Sequence, residues 1–157
     1  MGELIEAWRK RHGISSEALR ELWQLSLYLS DENPELPEAR VQAEVRLEAA
    51  RKGYYLYRNN RGAGKLENGN FTRWGLANDS KKLGDSWKSG DLIGWRPYYC
   101  YTETRGWHTA AQFVSVEVKR GDWKFSGSIE EVSQARWATL INELGGYAVI
   151  VNAPGHL

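Results

Sequence analysis

Phe113-Val114-Ser115-Val116-Glu117-Val118-Lys119 alternates without a break, and that alternation decides the fold. In a strand, successive side chains point to opposite faces. Val114, Val116 and Val118 therefore make an apolar face, and Ser115, Glu117 and Lys119 a polar one. The stretch predicts a strand with its valines on a core. It also holds a carboxylate and an ammonium side by side, two positions apart, on a rigid element. One reading of that pair is an ordinary ion pair on a solvated sheet face. The other is a hydrolytic site for phosphodiesters. There the carboxylate helps to hold Mg2+ or Mn2+, and the lysine positions or activates water or steadies developing negative charge.

A hard divalent ion takes several oxygen ligands, so one glutamate is insufficient. Working outward from the strand, Asp91 is the natural second ligand. It opens the short apolar stretch Asp91-Leu92-Ile93-Gly94-Trp95, 26 residues before Glu117, which leaves room for a hairpin excursion. The backbone carbonyl of Val118, lying between the two side chains, is a candidate third ligand.

The remaining elements follow from periodicity and breakers. Residues 1–30 read as helix, with Ser15-Ser16 capping a turn before residues 17–29. Pro34 and Pro37 then interrupt it, since neither fits a helix interior, and this is the one good linker in the chain. A second helix runs from Pro37 to Gly53 along Val41, Val45 and Leu47, and residues 54–57 follow as an aromatic strand. Residues 58–70, rich in Gly and Asn, predict a loop or hairpin turn, with Phe71 to Trp74 as a returning strand and residues 77–89 irregular. Tyr98 to Tyr101 extends the Asp91 strand, and residues 103–106 form a turn. A helix over 129–144 ends at Gly145-Gly146 before the buried strand Tyr147 to Val151. Helix, strands, helix, strand is the order of a mixed α/β sheet flanked by helices. The domains expected are a helical appendage over 1–36 and one unit over 37–157.

Composition narrows the function classes. A chain of 157 residues with 41% apolar content buries one core. The formal charge of +1 announces no polyanionic partner, so any basic surface is local. The single cysteine, Cys100, excludes an internal disulfide and paired-cysteine zinc sites and fits a reducing compartment. The first residues carry acids where a signal peptide has positive charge, and no stretch reaches about 18 uninterrupted apolar residues. The expectation is a cytoplasmic protein with no membrane partner. Gly62-Ala63-Gly64-Lys65 lacks the first glycine and the Ser or Thr of a phosphate loop, so no nucleotide cofactor is expected. His12, His108 and His156 are too scattered for a histidine-metal nuclease, and no Gly-x-Ser-x-Gly elbow marks a serine hydrolase.

Five ordered motifs resemble the VRR-NUC family, a phage and DNA-repair branch of the PD-(D/E)XK nucleases, over residues 37–151. Glu38-Ala39-Arg40-Val41-Gln42 is similar to its opening helix, and Leu56-Tyr57-Arg58-Asn59-Asn60-Arg61-Gly62-Ala63 to its Trp-Arg-Asn-Asn-x-Gly stretch, with Tyr57 in place of tryptophan. Ser89-Gly90-Asp91-Leu92-Ile93-Gly94 resembles its metal-aspartate strand and Val116-Glu117-Val118-Lys119-Arg120 its catalytic strand. Gln134, eleven residues before Gly145, has the spacing of its last helix. The resemblance implies a restriction-endonuclease-like fold and a Mg2+- or Mn2+-dependent endonuclease. In this family such enzymes often act on flapped or branched DNA, and the compact phage members, working in a bacterial host, are often homodimers. It implies Asp91 and Glu117 as metal ligands, Lys119 as the catalytic lysine, and Glu38 reaching the metal directly or through water. Glu44, six residues on, competes with Glu38 but lies on another helix face, whereas Gln42, at i+4, shares the face of Glu38. Gln134 takes either a site role or that of a plain exposed helix residue.

Arg58, Asn60, Arg61, Lys65 and Arg73 gather around the Gly-rich loop beside Tyr57 and Trp74. With Gln42 they are the candidate DNA contacts, since such side chains bind phosphates and stack on unpaired bases. A solvated loop explains the charges as well. Most of the eight tryptophans are expected in the core or a dimer interface. The rival to a nuclease is a non-catalytic DNA-binding or assembly module that keeps the fold.

Overall fold

The computed structural model describes residues 9–15, 18 and 36–157. Within the first group, Ser15 Oγ accepts a hydrogen bond from the Ala18 amide at 2.9 Å, a cap of the expected kind. The expected helix over 17–29 otherwise lies outside the described residues.

Pro37 is extended, and Glu38 opens helix α1 (Glu38–Arg51), whose first-turn acid and last-turn arginine both suit the helix dipole. Val41, Val45 and Ala49, spaced four apart on one stripe, are all but fully buried. They pack on Leu56 of β1 (Tyr55–Arg58), on Leu92 of β4 (Leu92–Thr102), and on Val114, Val116 and Val118 of β5 (Gly106–Val118). The valine face read from the sequence is thus the core face. Helix α3 (Ile129–Glu143) lies against the other face, where its Trp137 Nε1 donates to Ser115 Oγ at 2.9 Å. After it, β6 (Tyr147–Val151) pairs parallel to β5, as the crossover helix requires. The main sheet has the order β1-β4-β5-β6 and is mixed: β1, β4 and β5 are antiparallel neighbours, and β6 is the parallel edge. The expectation of a mixed α/β sheet with helices on both sides holds. Among the described residues no helix is long and apolar enough to cross a membrane.

Three expectations need correction. The Gly-rich segment contains a strand, β2 (Gly62–Lys65), which pairs with β3 (Phe71–Trp74) as a separate two-stranded sheet, so β3 returns along β2 and not along β1. Gly62 lets the Trp74 indole lie across β2, because a Cβ there would stand 2.5 Å from the ring and force it to shift. The supposedly irregular stretch holds a short helix, α2 (Lys81–Ser86), capped by Ser80. Finally, of the two places expected for the tryptophans, the core holds none of those described. Trp74, Trp95 and Trp107 are exposed, and Trp87, Trp123 and Trp137 are half-buried.

The hairpin of β4 and β5 outruns the sheet. Only Leu92 to Trp95 of β4 meets β1, and only Val114 to Val118 of β5 meets β6, so the rest is a two-stranded ribbon. Tyr99 stacks on Trp107 there with ring centroids 5.3 Å apart.

Candidate functional site

In the β4 to β5 pairing Leu92 faces Val116, and one more step in the same register sets Asp91 opposite Glu117. The Asp91 side chain is fastened there, with Oδ2 accepting from the Val118 amide at 2.9 Å and the Asp91 carbonyl accepting from the Asn59 amide at 2.7 Å. Gly90 makes the approach possible, since a Cβ there would lie 2.6 Å from the Val116 carbonyl oxygen. Its amide donates to Ser115 Oγ at 3.3 Å. Asn59 ties the hairpin segment to the same place, its Nδ2 donating to Ser89 Oγ and to the Gly90 carbonyl, each at 2.9 Å, while its Oδ1 accepts from the Leu76 amide at 3.1 Å.

Glu117 is 7% exposed. Its Oε1 accepts from Lys119 Nζ at 2.8 Å and from Gln134 Nε2, and Lys119 Nζ also donates to Gln134 Oε1 at 2.9 Å. The three side chains close a ring of donors and acceptors on the face covered by α3. Glu117 Oε2, by contrast, is buried with no hydrogen-bond partner. Burial, and then the neighbouring Asp91 carboxylate, push the Glu117 carboxyl up from its ordinary 4.5 to about 7, despite the attraction of Lys119. A buried carboxylate oxygen without a donor is costly. A cation placed between this oxygen and Asp91 would satisfy the one and relieve the repulsion between both.

The expected residues fall into groups. Asp91, Val118, Glu117, Lys119 and Gln134 come together, and Gln134 is a buried member of the ring, not an exposed helix residue. Glu38 is exposed in the first turn of α1 and lines a cleft of about 330 Å3 with Gln42 and Arg58. Glu44 is engaged with Arg40 at 3.0 Å. Asn60 and Lys65 are exposed, whereas Arg61 and Arg73 are partly covered between the hairpin and α2. Among the described residues no group of three or more His, Cys, Asp or Glu is gathered to hold a metal, so Asp91 and Glu117 stand as a pair of carboxylates.

Lys88 is a site neighbour that no sequence signal marks. It sits on the irregular run before Asp91, bonds Glu130, and shares with Gly90, Glu117 and Gln134 the small space beneath α3. Burial pushes its ammonium below the ordinary lysine value, with Glu117 and Asp91 opposing the fall and Lys119 and Arg61 adding to it. Its place depends on how α2 and α3 meet, which no local spacing encodes.

No protein-family model matches the chain, and no curated protein or solved structure matches it either.

Proposed function

We propose that this chain is a metal-dependent nuclease that hydrolyses DNA phosphodiester bonds. The observation carrying the reading is the buried Glu117 oxygen without a partner, set beside Asp91 and within a ring that includes Lys119. Buried carboxylates that serve structure alone are, as a rule, hydrogen-bonded at both oxygens. With the β2–β3 hairpin and α2 set aside as an insertion, the order of one helix, three antiparallel strands, a helix and a parallel strand supports a restriction-endonuclease-like core, as the resemblance to the VRR-NUC family implies.

Mg2+ or Mn2+ would be held by Asp91, Glu117 and the Val118 carbonyl, with Glu38 acting through water. When bound, the ion supplies Lewis-acid stabilisation of the phosphate and a more acidic water. Hydrolysis forms a bond from a water oxygen to phosphorus and breaks the phosphorus–oxygen bond to the leaving strand, which takes up a proton. Lys119, held by Glu117 and Gln134, would orient the water and steady the charge that develops on the phosphate. Arg58, Asn60, Arg61, Lys65, Arg73 and Gln42 are assigned to the DNA backbone and to unpaired bases. Branched substrates and a homodimer belong to the same reading, since a two-fold assembly suits a four-way junction.

A second reading, a DNA-binding or assembly module without catalysis, is favoured by the closed Lys119–Glu117 pair and the absence of a third gathered carboxylate among the described residues. Incubating the protein with linear, flapped and four-way-junction DNA in Mg2+, Mn2+ or EDTA separates the two. Cleavage that depends on metal and disappears in Lys119→Ala and Asp91→Asn supports the nuclease. Equal cleavage by those variants refutes the site, and binding with no cleavage under any metal favours the module.

A further inference from the structure

Between the β2–β3 hairpin, α2 and the start of α3 lies a cleft of about 460 Å3. Arg61, Arg73, Lys81 and Lys88 reach into its wall together with Asp85 and Glu130. The two lysines have carboxylate partners: Lys81 bonds Asp85 at 2.7 Å, and Lys88 bonds Glu130. The two arginines have none. Arg61 Nη2 donates only to backbone carbonyls, of Ala77 at 3.2 Å and of Trp87 at 3.3 Å, and its buried Nε has no partner at all. Arg73 Nη1 donates to the neutral Asn78 side chain at 3.3 Å, and its guanidinium stands over the Phe71 ring. Asn78 is itself buried and fixes the hairpin by donating to the Gly62 and Trp74 carbonyls at 2.7 and 2.8 Å.

Two guanidiniums held on a rigid support, half withdrawn from water and without a carboxylate in ion-pair contact, form a site for an anion, the Asp85 and Glu130 carboxylates of the same wall being taken up by Lys81 and Lys88. Its volume lies within the roughly 300–1,000 Å3 of ordinary ligand sites. Lys88 lines both this cleft and the space around Glu117, so the two adjoin. We propose that the cleft binds a second backbone phosphate of the nucleic-acid strand whose scissile phosphate lies at Asp91 and Glu117. This assignment rests on the nuclease reading for its ligand and goes beyond it in placing a subsite, with Lys81 and Lys88 as members. Arg61 and Arg73 grip the phosphate oxygens, and Lys88 stands between the two phosphates.

The experiment measures binding without chemistry. Metal-free protein in EDTA is titrated with inorganic pyrophosphate and with a fluorescent single-stranded oligonucleotide at two salt concentrations. Pyrophosphate should bind and displace the oligonucleotide. Arg73→Gln should weaken both ligands by about tenfold. The exposed Lys81→Gln should weaken them less and reduce the salt slope by about 0.7. Arg105→Gln, which removes a cation from the far turn of the ribbon, should leave both affinities alone. The subsite is overturned if pyrophosphate does not bind, or if folded Arg73→Gln and Lys81→Gln bind as the parent does. It is overturned equally if Arg105→Gln weakens binding as much as they do. Asp91→Asn keeps pyrophosphate binding in this scheme, so a failure of the cleavage reading leaves a different signature from a failure of the subsite.

Discussion

Two glutamates of this protein expose similarly little surface, one deep beneath α3 and one near the protein's edge at the start of α3, and they are held in opposite ways. Glu117 is 7% exposed and Glu131 is 8% exposed. Burial raises both carboxyls, yet at Glu131 it is outweighed by hydrogen bonds from the Ser126 hydroxyl, Trp123 Nε1 and the amides of Ser126 and Ser128, which hold it at about 2. Both of its oxygens are used, and it closes a capping box with Ser128 at the start of α3. Glu117 has one oxygen engaged, one stranded, and Asp91 beside it, and it stands at about 7. Burial alone therefore does not mark a site. What sets Glu117 apart is a stranded oxygen beside a second carboxylate, a pairing that Glu131 lacks.

The largest effect expected from breaking this contrast is on activity. Glu117→Gln should lower cleavage by roughly 10²–10⁴-fold while the protein stays folded. Glu131→Gln should leave single-turnover cleavage near the parent's once the protein is folded. Single-turnover assays with matched unfolding curves check both, and comparable activity loss in the two variants would dissolve the distinction.

The next effect is opposite in sign along the pH axis. Glu117 has a raised folded-state value, so its contribution to stability is full below about pH 4.5 and is lost as pH rises through 7. Compared in EDTA with Glu117→Gln, the parent should lose up to about 3 kcal/mol over that window. Glu131 has a depressed value, so its contribution is present above pH 4.5 and is lost as pH falls towards 2. Urea titrations at several pH values read both trends, and parallel curves for parent and Glu117→Gln between pH 4.5 and 7 would contradict the first. At neutral pH Glu131→Gln should cost about 2 kcal/mol, the worth of hydrogen bonds to a charged group.

The sequence makes one half of this contrast legible. Alternation over Phe113 to Lys119 placed Glu117 and Lys119 on one face, and Asp91 stood at a hairpin's distance. Helix α1 was readable because Pro37, Gly53 and a four-residue apolar stripe all agree. The Glu131 cage was not, since its donors come from a loop whose path only the folded chain defines. Strand β2 was hidden because two of its four residues are glycine, and the crowding of Gly62 by the Trp74 indole across the hairpin leaves no pattern along the strand. The outer ribbon was half seen. Its faces are both open to water, so its aromatics alternate with small and polar residues without the apolar signature of a core strand. The same fact explains the ribbon's Trp107, which stands in the open and not in the core.

The smallest predicted effect concerns the first helix. Glu38 is an exposed acid on α1, which covers the valine face of the sheet, whereas Glu117 and Asp91 share the face under α3. In the proposed site Glu38 acts on the metal through a water, and an outer contact of that kind is worth about 10-fold in activity. Glu38→Ala should therefore reduce cleavage by about that factor, with the loss partly recovered at higher Mn2+. Glu44→Ala removes an acid already engaged by Arg40 and should change nothing measurable. A Glu38→Ala loss as deep as that of Glu117→Gln would make Glu38 a direct ligand, and the exposed end of α1 would then have to close over the carboxylate pair when metal binds. A loss confined to Glu44→Ala would instead turn the helix, and with it the assignment of Gln42 to the DNA.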